Sequence, residues 1–210
     1  MGTYSKSTFG EISGKVGESV ASNWRSLKVL RSVPKKSSKP PSEKRLAVYA
    51  RFTLAAARLS PIKSVLNIGF SDKTLNKITG YNAAVKTFLT ESILGDYPNY
   101  QVDYANIKMS KGSLDQPDVS IEVVNDIVLT WPADVDELRS NLDDRMYFII
   151  YNEMKDSYKL NIASTRNDAA IALPFPGKAG DVLHVWSFCV SRDGKLVSRS
   201  QYVGSVTVPV

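Results

Sequence analysis

The chain has 210 residues, 43% hydrophobic, 23% charged and 10% aromatic, which excludes an intrinsically disordered polymer and suffices for a buried core. No run approaches the roughly 18 apolar residues of a membrane span, and one cysteine with one histidine leaves no internal disulfide or Cys/His zinc site to build. The net charge of +6 is unevenly placed, with 12 Lys/Arg against 3 Asp/Glu in residues 1–58 (a balance of +9) and −3 over the rest.

A basic arm on an acidic body can grip a polyanion, or the acidic body of the next copy of itself. The opening MGTYSKSTFGEISGKVGESV has no apolar h-region, so a conventional secretory signal is not expected. A cytoplasmic, virion or non-classically exported surface location stays open. Residues 1–33 read as an extended arm punctuated by Gly10, Gly14 and Gly17. Trp24, Leu27, Val29, Leu30 and Val33 alternate imperfectly with Arg25, Lys28 and Arg31, as in a strand with one sticky face and no obvious partner nearby. Pro34, Pro40 and Pro41 enclose Lys35, Lys36 and Lys39 and forbid helix and ladder alike, which makes a linker near polyproline II. Residues 1–41 thus form an arm and linker.

Residues 42–96 read as helical. Ser42 is a candidate N-cap, and Leu46, Tyr49, Ala50, Thr53, Ala56 and Ala57 share one face at i, i+3, i+4 spacing. Ser60-Pro61 breaks and restarts the helix, Gly69 is placed to stop it, and a further helix spans about 82–94. From residue 97 to 210 the period becomes two. Candidate strands cover 101–109, 119–124, 126–131, 146–151, 158–163, 169–173, 182–191 and 197–208, with Asp193-Gly194 as the strongest hairpin signal. Short strands at this spacing make a β-sandwich. The strands 146–151 and 182–190 are apolar on both faces, so something must cover the outer one: the helices at 43–94, or a neighbouring subunit.

The runs IVLTWPAD, MYFIIYNE and GDVLHVWSFCVSRDGKLVSRSQYVGSVTVP resemble a fibronectin type III or related immunoglobulin-like domain from about residue 118. Trp131 takes the place of that family's second-strand tryptophan, while Val182 or Leu183 stands where its penultimate strand usually opens on tyrosine. The run RSVPKKSSKPPSEKRLAVYARFTLAAARLSPIKSVLNIGF resembles the N-terminal signature of a domain-of-unknown-function family (number 6266) of Bacteroidota, over nearly the whole chain. That resemblance implies the arm, the linker, the alanine-rich helix and the sandwich, and supplies no activity. More loosely, the arm and helix resemble phage-encoded structural proteins.

No catalytic constellation emerges. His184 and Cys189 lie five apart on one strand and face opposite ways, no G-x-S-x-G elbow exists, and GEISGKVG is not a phosphate-loop pattern. Asp134, Asp136, Glu137, Asp143 and Asp144 crowd one loop with Arg139 and Arg145 among them. Calcium chemistry would need more oxygens and a glycine turn, so a solvated acidic loop, and a dock for a basic arm, is the better reading. The fold expected is α+β: extended N-terminal arm, short helical segment, C-terminal immunoglobulin-like antiparallel sandwich. The function expected is structural rather than enzymatic, without metal, cofactor or small-molecule substrate. The chain would form a homo-oligomer or polymer. Trp24, Leu27, Val29, Leu30, Val33, Lys35, Lys36 and Lys39 would meet a neighbour, in cis or in trans being open. The alternative is a nucleic-acid or polyanion-binding protein using the same arm.

Overall fold

Irregular alternation and glycine punctuation leave the first residues unable to join a core strand, and the chain pairs there with itself. Residues described by this computed structural model are 2–3, 12–24, 27–35, 38–71, 78–135 and 140–209. Strands β1 (Gly2–Thr3), β2 (Gly14–Val16), β3 (Ser19–Trp24) and β4 (Leu27–Ser32) form an antiparallel sheet in the order β1-β4-β3-β2. Gly17 turns β2 into β3 at φ +57°, which only glycine adopts freely. Ala21 opposite Leu30 is its one fully buried residue among those described. The arm is therefore made of strand, as expected, but β4 finds its partner next to it in sequence.

After the proline linker, helix α1 (Glu43–Leu59) runs into a 3₁₀ turn at Ser60–Ile62 and then α2 (Lys63–Gly69), the break falling at Pro61. Helix α3 (Gly80–Glu91) starts where the Thr79 hydroxyl accepts from the backbone N–H of Asn82 at 3.1 Å. The inner face of α1 is not the one that apolarity selects. Ala55 and Leu59 are buried, whereas Leu46, Val48, Tyr49 and Phe52 are exposed. Two arginines turn the helix: Arg51 donates to the Leu89 carbonyl, and Arg58 to Tyr151 and Asp156. Gly69 ends α2 without a positive φ. Its role is close approach, because a Cβ there would sit 2.2 Å from the Met109 carbonyl oxygen.

A short hairpin, β5 (Ile93–Leu94) and β6 (Gln101–Val102), precedes a 3₁₀ turn at Tyr104–Asn106 capped by the Asp103 carboxylate. The strand expected over 101–109 is thus confined to its first two residues. Beyond it the sandwich follows the fibronectin-like order. Strands β7 (Ser120–Val123), β8 (Ile127–Thr130), β9 (Arg145–Asn152), β10 (Ser157–Thr165), β11 (Ala170–Leu173), β12 (Val182–Val190) and β13 (Gln201–Thr207) make two antiparallel sheets, β11-β8-β7 and β10-β9-β12-β13. Ile127, Leu129, Trp131, Phe148, Ile150, Leu183 and Val185 fill the space between them. Trp131 packs 5.2 Å from the Phe148 ring and donates its indole N–H to the Arg166 carbonyl at 2.9 Å.

The opposite face of β9 and β12, carrying Tyr147, Ile149, Tyr151, Trp186, Phe188 and Val190, forms a second core with Ala55, Leu59, Leu66, Ala84 and Phe88. The helices are the cover that the doubly apolar strands require. Among the described residues, neither core takes one before Ala55.

The hairpin at Asp193-Gly194 is closed by Gly194 N–H to the Ser191 carbonyl at 2.8 Å, but β13 starts only at Gln201. Between them the chain turns aside to meet residues 109–114, with Leu114 N–H on the Val197 carbonyl at 3.0 Å. Gly112 sits so close that a Cβ would lie 1.9 Å from the Val197 oxygen. Gly112→Ala is therefore expected to lower stability by about 1–3 kcal/mol in urea unfolding, with Ser113→Ala beside it near neutral.

Candidate functional site

The polar groups gather in three places. The first is the arm. Leu27, Val29 and Val33 are half-buried, Leu30 is 44% exposed, and Lys35 and Lys39 stand exposed beyond the sheet. Trp24 pairs through its backbone with Leu27, and Lys36 lies outside the described residues. Edge strand β2 is exposed throughout. On the other edge, the described residues of β1 pair with Leu30 and Val29 of β4.

The second is one end of the sandwich, where the acidic loop lies. Asp134 is exposed, Asp143 makes an exposed ion pair with Arg192 at 3.1 Å, and Asp136 and Glu137 lie outside the described residues. Asp144 corrects the expectation of an acidic dock, because it is fully buried. Its carboxylate lies 3.7 Å from the guanidinium of Arg166, which is also fully buried, and accepts from the Asn141 N–H at 2.9 Å. Arg166 further donates to the carbonyls of Asp115 (2.7 Å) and Asp134 (3.3 Å). This is a structural pin that ties three loops to the Trp131 indole. Of the sequence-selected acids, Asp134 and Asp143 are the described ones left at the surface. Arg166 itself was not singled out, since nothing in its local pattern distinguishes a buried arginine from a solvated one.

The third is an aromatic cluster under the helices. Tyr104 stacks on His184 at 4.0 Å between ring centroids, and Tyr151 lies 4.8 Å from Tyr158 and 5.6 Å from Tyr104. The Tyr151 hydroxyl donates to Asp156 at 2.9 Å, and Arg58 binds both. Burial, reinforced by the hydrogen bond to Asp156, pushes the Tyr151 phenol up, and burial does the same for Tyr158. Both phenols stay protonated at neutral pH, so the cluster offers packing and hydrogen bonds, not a base.

His184 shares a 2.9 Å hydrogen bond with the Tyr202 hydroxyl and sits 3.6 Å from Glu153. Cys189 lies on the other face of β12, in the inner core. The bulge in the β12–β13 pairing falls at Val203, on β13, and leaves the alternation of β12 intact. Burial pushes the Cys189 thiol up to about 12, with Arg166 opposing only in part. The histidine and the cysteine therefore form no nucleophile–base pair. Among the described residues no group of His, Cys, Asp and Glu is arranged to hold a metal ion, and no helix is long and apolar enough to cross a membrane.

Two predictions follow from these pairings. Removing Asp144 (Asp144→Ala) leaves the buried Arg166 charge short of its partner and is expected to lower stability by about 3 kcal/mol or more. Asp143→Ala, at the surface, should stay within about 1 kcal/mol in the same denaturation series. Burial lowers the His184 pKa below its ordinary 6.5, against the pull of Glu153. The unfolded chain therefore takes up this proton first as pH falls. The contribution of His184 is full above pH 6.5 and declines as pH drops toward the lowered folded value. Stability measured from pH 7 to 5 should fall less steeply in His184→Gln than in the native chain.

No curated protein matches the chain. A family model, described as "Family of unknown function (DUF6266)", matches residues 11–204, which takes in the second arm strand, the linker, the helices and nearly all of the sandwich. The chain belongs to this family.

Proposed function

We propose that the chain is a self-assembling structural subunit of a filament, fibre or virion-like assembly, joined to its neighbour through the N-terminal β-arm. The observation that carries this is a four-stranded sheet whose described residues contribute nothing to either core. Small sheets need an apolar face packed against something to be stable. With Ala21 alone fully buried, this one has little of that support among the described residues. Its strands already pair with one another, so the neighbour takes an edge rather than a bare strand. Strand β2, an edge of this sheet with Val16 exposed, offers main-chain groups for addition.

The apolar residues that α1 exposes just after the linker, Leu46, Val48, Tyr49 and Phe52, offer a second surface that a neighbour would cover. Lys35 and Lys39 would face Asp134 and Asp143 of the next copy, a complementarity that sets orientation more than affinity. A head-to-tail contact of this kind grows into fibres wherever its rotation does not close a ring. The role is one of assembly and not of catalysis.

A second reading rests on the exposed cations Arg31, Lys35 and Lys44, which would let the arm hold nucleic acid or another polyanion. Light scattering and electron microscopy of the full chain and of a chain lacking residues 1–33 separate the two. Assembly by the arm predicts particles far larger than 23.2 kDa for the full chain and monomers for the truncation. Polymers from both, or a full chain that stays monomeric at every concentration, would defeat the proposal. Affinity for DNA or RNA that drops steeply with added salt and vanishes with the arm would favour the second reading.

A further inference from the structure

We propose that a cleft between residues 108–111 and 195–200 binds a compact, multiply charged phosphate compound. Two adjoining concavities of about 350 and 290 Å³ share Lys111 and Arg199 as lining residues. Lys108 adds a third cation to one and Lys195 a fourth to the other. Lys195 is engaged by Asp193 at 2.9 Å, and Glu91 is the one carboxylate among the described lining residues. Lys108, Lys111 and Arg199 form no ion pair among the described residues.

These cations are brought together by backbone that is firmly held. Lys111 N–H binds the Gly69 carbonyl at 2.9 Å, the Ser110 hydroxyl donates to the Ser198 carbonyl at 2.8 Å, and Met109 N–H donates to the Ser200 hydroxyl at 2.9 Å. Gly69 and Gly112 permit the close approach that makes these bonds possible. Three like charges converging on one concavity repel one another, and an anion relieves that repulsion. Lysine offers a point charge and arginine a planar fork, a pairing suited to the several oxygens of a phosphate group. Each concavity is open to solvent and at the small end of ligand sites in volume, which favours a short oligophosphate or phosphate ester over a polymer. The cleft is on the helix-covered side of the fold and uses no arm residue, so its fate is separate from that of the assembly.

Calorimetric titration of the full chain with sodium tripolyphosphate, at low salt and at about 0.15 M, tests this. Saturable binding is expected, weakened about tenfold or more by Lys111→Gln combined with Arg199→Gln and unchanged by Lys159→Gln, an exposed lysine on β10. Both cleft residues are exposed, so the variant should unfold at the native temperature. Glu91→Gln removes the opposing carboxylate and should tighten binding. Absence of saturable binding to the native chain, or equal affinity in the double variant, overturns the proposal. A single-stranded oligonucleotide that binds through the same residues while tripolyphosphate does not would overturn the compact-ligand assignment.

Discussion

Strands β9 and β12 are buried on both faces, and most of the architecture is a response to that fact. One face carries Met146, Phe148, Ile150, Leu183 and Val185 into the sandwich, and the other carries Tyr147, Ile149, Trp186 and Phe188 outward. A fibronectin-like sandwich standing alone would put polar residues on that outer face. Here the apolar outer face makes the preceding helices obligatory partners. Each large aromatic side chain buried there removes about 2–3 kcal/mol worth of apolar surface from water, so detaching the helices would expose far more than a small protein's net stability.

The helical cover also dictates where the chain must run tightly. To pass from α3 to the first sandwich strand, the backbone crosses the covered sheet at Tyr104, whose carbonyl accepts from the Trp186 indole at 3.2 Å. It then squeezes past α2 and the β12–β13 connection at Gly69 and Gly112. That squeeze is what delays β13 and gathers Lys108, Lys111 and Arg199 on one wall. The positive cleft is therefore a by-product of a packing constraint in its position, but not in its charge. Nothing in the packing requires that positions 108, 111 and 199 be basic.

The sandwich was legible because its strands have the alternation and turns that pairing demands, and all but the first of those read from sequence recur in the sheets. The first failed at Asp103, whose side chain caps a 3₁₀ turn and ends the strand after Val102. The buried face of α1 was illegible for a different reason. Apolarity points to Leu46 and Tyr49, yet the helix is oriented by Arg51 and Arg58, whose acceptors lie 38 and 93 residues away in the chain. Long-range hydrogen bonds leave no local pattern. The same holds for the Asp144–Arg166 pin: as a string of acids the loop reads as a solvated dock, and only the fold reveals which acid is already taken.

The arm poses the remaining question of physical consistency. Its net positive charge and low apolar content argue against a fold of its own, yet its strands are in register with one another over β3 and β4, from Ser19 opposite Ser32 to Trp24 opposite Leu27. Local pairing of this kind satisfies hydrogen bonds without burying much side-chain surface. It lowers the entropy still to be lost when a partner binds, because the edge is already ordered in the form the partner would extend. An arm that were a bare strand would need to order on docking. An arm that were fully packed into its own sandwich would have nothing left to offer. The sheet described here lies between these limits: its backbone is organised, edge strand β2 is exposed, and Leu27, Val29 and Val33 are only half-buried. Under that condition, addition of a strand from a second subunit would gain from an edge already ordered.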